Sequence, residues 1–316
     1  MCPVTTPPHG RAKRVDSEMQ ASGTRTPAYR AYIPWRERNG RFSPLGLAVF
    51  LAILAPGAHL AYGLVAGTLG AKPVTEVLHG TGDWAIRFLL LSLLVSPLRR
   101  VSGWGKLIGI RRMLGLAAAG YALAHLGLYV VDQSFDLAKV ASEIVLRVYL
   151  TIGFVALVGL LALAATSTDG AIRRMGQTWH RLHRLTYAIA VLAAVHFFLQ
   201  SKADVTEAVL MAGFLMALFA CRIVQKIGLR LASPLVLAGI AVFAGLATAG
   251  IEYLWYALAT GVPAERVLAA NLDFRYSIRP AWWVFGVMLI IAALPLVLRL
   301  GSRARQAAAQ GAAGRG

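Results

Sequence analysis

Among the seven histidines in this 316-residue chain, His125, His183 and His196 fall within or at the ends of long apolar runs. An ionisable side chain in such surroundings is a functional group by default. A buried neutral imidazole is costly unless something satisfies it, and the iron of a haem does so through a ring nitrogen. A hydrogen bond between helices is the cheaper alternative. His125 stands about six residues before the outer end of its run and His196 about four before the outer end of its own, so at a fixed helical rise the two lie at similar depth. Two imidazoles on separate helices at one depth can clamp a porphyrin between them, the bis-histidine arrangement of b-type electron-transfer haem.

His183 behaves differently. It precedes His196 by 13 residues, about 20 Å of helix, which places it near the opposite face of a membrane. In a straight helix those residues also turn the side chain by roughly 220° beyond three full turns, so the two imidazoles do not share a face. A distorted helix, a second haem approached from another angle, and no ligand role are the three readings. The position 13 residues before His125 is Arg112, so a second haem needs an unusual or water-filled sixth site. His180, three residues before His183, can substitute for it or stand in solvent; His79 reads as an interfacial residue just outside the second run, and His59 as a packing residue in the first. Arg87, near the outer end of the second run, suits a haem propionate or the lipid head groups, and Arg181 and Arg184 suit an inner propionate or simple charge bias.

The elements that must carry these side chains follow from composition. The chain is 58% hydrophobic and 15% charged with a mean hydropathy of +0.63, too little polar surface for a soluble globule. Eight apolar stretches are long enough to cross a hydrocarbon core of about 30 Å: Pro44 to Ala66, Trp84 to Leu98, Met113 to Val131, Val148 to Ala165, Leu182 to Gln200, Val205 to Ala220, Leu231 to Trp255 and Ala281 to Leu300. The net charge of +18 is lopsided. The two tails and alternate loops hold 24 of the 32 Lys and Arg residues and 4 of the 14 acids. The positive-inside rule then predicts both termini in the cytoplasm and removes the need for a nucleic-acid partner.

Residues 1–43, rich in Pro, Arg, Ser and Thr, read as a disordered basic cytoplasmic tail. Cys2 and Cys221 form no CxxC or CxxCH pattern, which argues against disulfides and covalent c-type haem. Trp84, Trp179, Trp282 and Trp283 sit at the ends of runs as interfacial anchors. With no GxGxxG fingerprint and no sizeable extramembrane domain, pyridine-nucleotide electrons must arrive through another protein. The stretch from Tyr256 to Pro280, the longest outer loop, carries no assignable chemistry.

Four strings in order, TGDWAIRFLLLSLLVSPLRR from Thr81, RRMLGLAAAGYALAHLGLY from Arg111, LALAATST from Leu161 and GQTWHRLHRLTYAIAVLAAVHF from Gly176, resemble the haem-binding membrane subunit of the bacterial periplasmic methionine-sulfoxide reductase system, the MsrQ or YedZ type. The preceding GAKPVTEVLHGTG resembles that family's outer loop, including His79. The resemblance runs from about Pro44 to Lys226. It implies a six-helix ferric-reductase-like core with haem held by His125 on the third span and by His183 and His196 on the fifth. It also implies a multi-pass protein of the bacterial inner membrane that takes electrons from quinol or a cytosolic flavin reductase. They would pass to a periplasmic molybdopterin enzyme that repairs oxidised methionine. Flavin mononucleotide (FMN) is associated with the family, although no flavin motif is present.

The expectation is therefore an all-α polytopic membrane protein: a basic tail (1–43), a six-helix haem core (44–226) and an extension of two spans (227–316) without counterpart in the family. It holds one or two haem b groups and relays electrons. A direct ferric or cupric reductase and a haem-free transporter or structural membrane protein are the alternatives.

Overall fold

The computed structural model describes residues 33–36, 40–201, 204–275 and 277–313, so most of the basic tail, with Cys2, lies outside the described residues. The described residues form the helices α1 (Pro44–Ala66), α2 (Pro73–Ser102), α3 (Ile108–Asp132), α4 (Leu137–Leu146), α5 (Val148–Ala165), α6 (Asp169–Met175), α7 (Gln177–Leu182), α8 (Thr186–Gln200), α9 (Thr206–Lys226), α10 (Pro234–Ala259), α11 (Ala264–Ala270) and α12 (Pro280–Ala313). Two short 3-10 turns, Gly105–Leu107 and His183–Leu185, lead into α3 and α8. Among the described residues eight spans, one for each apolar run of the sequence, are long and apolar enough to cross a membrane, with α7 and α8 counting as one. In hydrocarbon a helix satisfies its own backbone, which is why composition alone forecasts so much of this architecture.

Three expectations about the elements are corrected. The second run, expected from Trp84, is helical from Pro73. Proline occupies the first helical position, where its missing N–H costs nothing, and Glu76 in the first turn complements the helix dipole. His79 and the Thr81-Gly82 pair therefore lie on α2 rather than in a preceding loop. The loop after α3 holds α4, capped by the Asp136 carboxylate accepting from the Lys139 N–H at 2.9 Å. The outer loop after α10 likewise contains α11.

The central helix is α2, packed against α1, α3, α8, α9 and α12. Its Leu89 and Leu93 are almost wholly buried in a cluster shared with α1, α3, α5, α8 and α9. In the same cluster Ala118 of α3 and Ala190 of α8 have no exposure, and such small side chains let helix backbones approach closely. Between α1 and α3 the contact is polar. Pro56 interrupts α1, and the Tyr121 hydroxyl inserts there, donating to the Ile53 carbonyl at 2.7 Å and accepting from the Gly57 N–H at 2.8 Å. One side chain thus replaces the helical bond across the break and docks α3, four residues before His125.

A second cluster joins the extension to the core: Ala217 and Cys221 of α9 against Leu237, Ile240, Ala241 and Ala244 of α10 and Val284, Met288 and Ala292 of α12. Gly213 of α9 is needed at this crossing, because a Cβ there would press into Thr248 of α10 and Val284 of α12. Farther along, Glu252 of α10, 1% exposed, pairs with the Arg279 guanidinium just before α12, and the Asn271 amide lies 3.4 Å from the same carboxylate.

Candidate functional site

The helices bring His125 of α3 and His196 of α8 together, with ring centroids 6.3 Å apart and ring planes at 83°. Each ring is held in the same way. The Nδ1 of His125 lies 2.8 Å from the carbonyl of Leu78 on α2, and the Nδ1 of His196 lies 2.7 Å from the carbonyl of Tyr149 on α5. A carbonyl only accepts, so Nδ1 carries the proton in both rings and Nε2 presents the lone pair. Fixing the tautomer through the other ring nitrogen is the usual outer-shell device for a metal-ligating histidine.

Two glycines complete the arrangement. A Cβ on Gly82 of α2 would come within 2.9 Å of His125 Nδ1, and one on Gly153 of α5 within 2.6 Å of His196 Nδ1. Both lie one helical turn after the accepting carbonyl, so the imidazole lies against bare backbone. The Thr81 hydroxyl shares the Leu78 carbonyl at 2.8 Å. The accepting carbonyls have no residue signature; the signal the sequence does carry is a glycine four residues after each, Gly82 and Gly153.

The donor set suits haem iron. With a metal–nitrogen bond of about 2 Å on each side, and about 1 Å more to each ring centre, two imidazoles across one metal have centroids about 6 Å apart. The observed separation agrees with that spacing. Among the described residues, no group of three or more His, Cys, Asp or Glu residues is placed to hold a bare metal ion. Two imidazole nitrogens are the protein donors of a bis-histidine haem, whose porphyrin supplies the other four nitrogens.

His183 is not brought to this pair. It lies in the 3-10 turn before α8, its ring stacked on Trp179 at 3.9 Å and its Nε2 3.2 Å from the Thr166 hydroxyl. That hydroxyl also lies 2.8 Å from the Ala162 carbonyl, and Trp179 donates its indole N–H to the Thr166 carbonyl at 2.9 Å. The 3-10 turn His183–Leu185 separates α7 from α8, so the helix is not straight between His183 and His196. Arg112 pairs with Asp169 at 3.1 Å. Arg181, Arg184 and His180 are exposed, His180 standing edge-on to Trp179.

Arg87 of α2 binds the Glu207 carboxylate of α9 at 2.7 Å and stands over the Trp84 ring. Sequence reasoning overlooked Glu207 because 120 residues separate the pair. His79 is exposed on α2, and His59, expected to pack inside the bundle, is exposed on α1.

The ferric reductase like transmembrane component family matches residues 81–194, a segment that contains Gly82, His125, Tyr149 and Gly153 and stops two residues before His196. The protein-methionine-sulfoxide reductase heme-binding subunit MsrQ of Azospira oryzae is 40% identical over 193 residues, covering 60% of this chain and 83% of that protein. The subunits of the same name from Rhodospirillum rubrum and Xanthomonas euvesicatoria are 42% identical over 197 residues and 45% identical over 163, covering 92% and 75% of their lengths. No solved structure matches the chain. At this identity, spread over most of each relative's length, the chain is a multi-pass membrane protein that belongs to the MsrQ family of protein-methionine-sulfoxide reductase subunits.

Proposed function

We propose that the chain is a haem b electron-transfer subunit whose iron ligands are His125 and His196. The observation that carries this is the pair of imidazoles at 6.3 Å, each with Nδ1 committed to a carbonyl and Nε2 left to coordinate. When bound, haem supplies reversible one-electron chemistry at its iron. The protein's own residues do the rest: α3 and α8 set the ring separation, the Leu78 and Tyr149 carbonyls fix the tautomers, and Gly82 and Gly153 admit the rings. A haem held by both His125 and His196 would supply relay of electrons rather than reaction with a substrate at the metal.

In this reading the protein lies in the bacterial inner membrane with both termini in the cytoplasm, as the lopsided Lys and Arg distribution supports. Electrons come from quinol or a cytosolic flavin reductase and pass to a periplasmic molybdopterin subunit that reduces methionine sulfoxide. The names of the relatives support the reductase system. His183, held by Trp179 and Thr166, is left out of this haem, and no separate role is proposed for FMN.

The test is the reduced-minus-oxidised spectrum of detergent-purified protein from haem-replete cells. Wild type shows b-type bands, and His125→Ala and His196→Ala each abolish them. Clean wild-type protein without haem absorbance refutes the proposal, as do unchanged spectra in both variants. Reduction of chelated iron by the isolated chain, without a partner enzyme, moves the assignment to a direct metal reductase.

A further inference from the structure

The two imidazoles sit in duplicated cradles. In the first, the accepting carbonyl is Leu78, the close glycine is Gly82 and the histidine is His125; in the second they are Tyr149, Gly153 and His196. The carbonyl precedes its histidine by 47 residues in both cases, and in both the glycine stands one turn after the carbonyl. The first cradle is built between α2 and α3 and the second between α5 and α8, pairs that pack along one another. The coincidence of all three elements at one spacing is difficult to reconcile with incidental packing of a buried ring.

We infer that Gly82 and Gly153 are positioning residues that, with the Leu78 and Tyr149 carbonyls, set the plane of each axial imidazole and hold the two planes nearly perpendicular. This rests on the haem reading above and goes beyond it. The planes stand at 83°, and each ring is prevented from turning about its Cβ–Cγ bond by two contacts on the Nδ1 edge. One is the hydrogen bond at 2.7 or 2.8 Å. The other is the backbone of the facing helix, close enough that a methyl group would come within 2.6 or 2.9 Å of Nδ1. A contact below 3 Å forces a shift, and the ring cannot retreat without lengthening its hydrogen bond to the same helix. Gly153 is the tighter of the two, with Cε1 and Cγ of His196 also at 2.7 and 2.9 Å from the added Cβ.

The angle has a measurable consequence in ferric haem with two imidazole ligands. Parallel ligand planes split the iron d orbitals and give a rhombic low-spin electron paramagnetic resonance signal. Perpendicular planes leave them nearly degenerate and give a strongly anisotropic low-spin signal. The wild-type protein should show the strongly anisotropic form. Gly153→Ala and Gly82→Ala should each lose it, replaced by a rhombic low-spin or a high-spin signal, with the larger loss in Gly153→Ala. Gly239→Ala is the control: Gly239 lies in α10 with no neighbour within 4 Å of an added Cβ, and its signal should match wild type.

Haem content by pyridine haemochromogen, helicity and elution as a single species are measured on the same samples, so a ring that has turned is separated from a protein that has not folded. If Gly153→Ala loses haem or folding altogether, Gly82→Ala, with less overlap, decides. A rhombic signal in wild type overturns the inference, as does a wild-type signal retained in Gly82→Ala. Wild-type protein without haem overturns the haem reading and the cradle together.

Discussion

The buried ion pair in the extension allows a prediction whose size follows from its surroundings. Glu252 is 1% exposed and its carboxylate is held by Arg279, while the Asn271 amide at 3.4 Å is too distant to replace that partner. Arg279→Met therefore leaves a charge enclosed by α10, α11 and the start of α12. Removing one partner of a buried pair costs about 3–5 kcal/mol, on the order of 10 °C of melting temperature for a chain of this size. Glu252→Leu should cost less, because the Arg279 side chain is 21% exposed and can extend toward water. The double variant Glu252→Leu/Arg279→Met should recover most of the loss, since two apolar side chains need no partner. Thermal unfolding of the four detergent-purified proteins, followed by tryptophan fluorescence, gives the complete cycle. An Arg279→Met protein that melts with wild type, or a double variant no better than Arg279→Met, refutes the reasoning.

Gly213→Val places a branched side chain where even a methyl group meets Thr248 and Val284; overpacking of this kind costs about 1–3 kcal/mol and should appear as a lower melting temperature and faster proteolysis between α9 and α10. His183→Ala removes a stacked ring and one hydrogen bond, so stability should fall by about 1–2 kcal/mol, read as a lower melting temperature, while the haem bands assigned to His125 and His196 stay unchanged in a visible spectrum. Asp204, in the connection before α9, has its carboxyl held below the usual range, first by the Thr206 N–H at 3.0 Å and then by the Thr206 hydroxyl. A depressed folded-state pKa stabilises at neutral pH, and that contribution fades as the pH falls through about 4 and below. Asp204→Ala should therefore melt below wild type at pH 7, and the difference should shrink at pH 3, read by the same unfolding assay.

Several features were legible because membrane physics leaves few choices. A backbone in hydrocarbon must be helical and about 20 residues long to cross, so eight apolar runs became eight spans. Helical rise is fixed, so distances of about six and about four residues from the outer ends of their runs put His125 and His196 at similar depth, and their rings stand 6.3 Å apart. The same arithmetic separated His183 from them. Boundaries failed where a local signal misled: Gly80, Thr81 and Gly82 resemble a loop, yet Pro73 starts the helix and neighbouring helices hold it.

The amino-acid sequence by itself therefore determined the class of protein, the number of spans and the depth of the paired histidines, because each depends on length, hydropathy or rise along one helix. Only the tertiary structure decided what faces each ring. Backbone carbonyls carry no residue signature, so the partners Leu78 and Tyr149 could not be read from their side chains. Gly82 and Gly153 acquire a role only when a second helix lays an imidazole against them. The ion pair of Arg87 with Glu207 and that of Glu252 with Arg279 likewise depend on how separate helices are rotated and packed. Hydropathy fixes a helix's place across the membrane and leaves its rotation about its own axis to its neighbours.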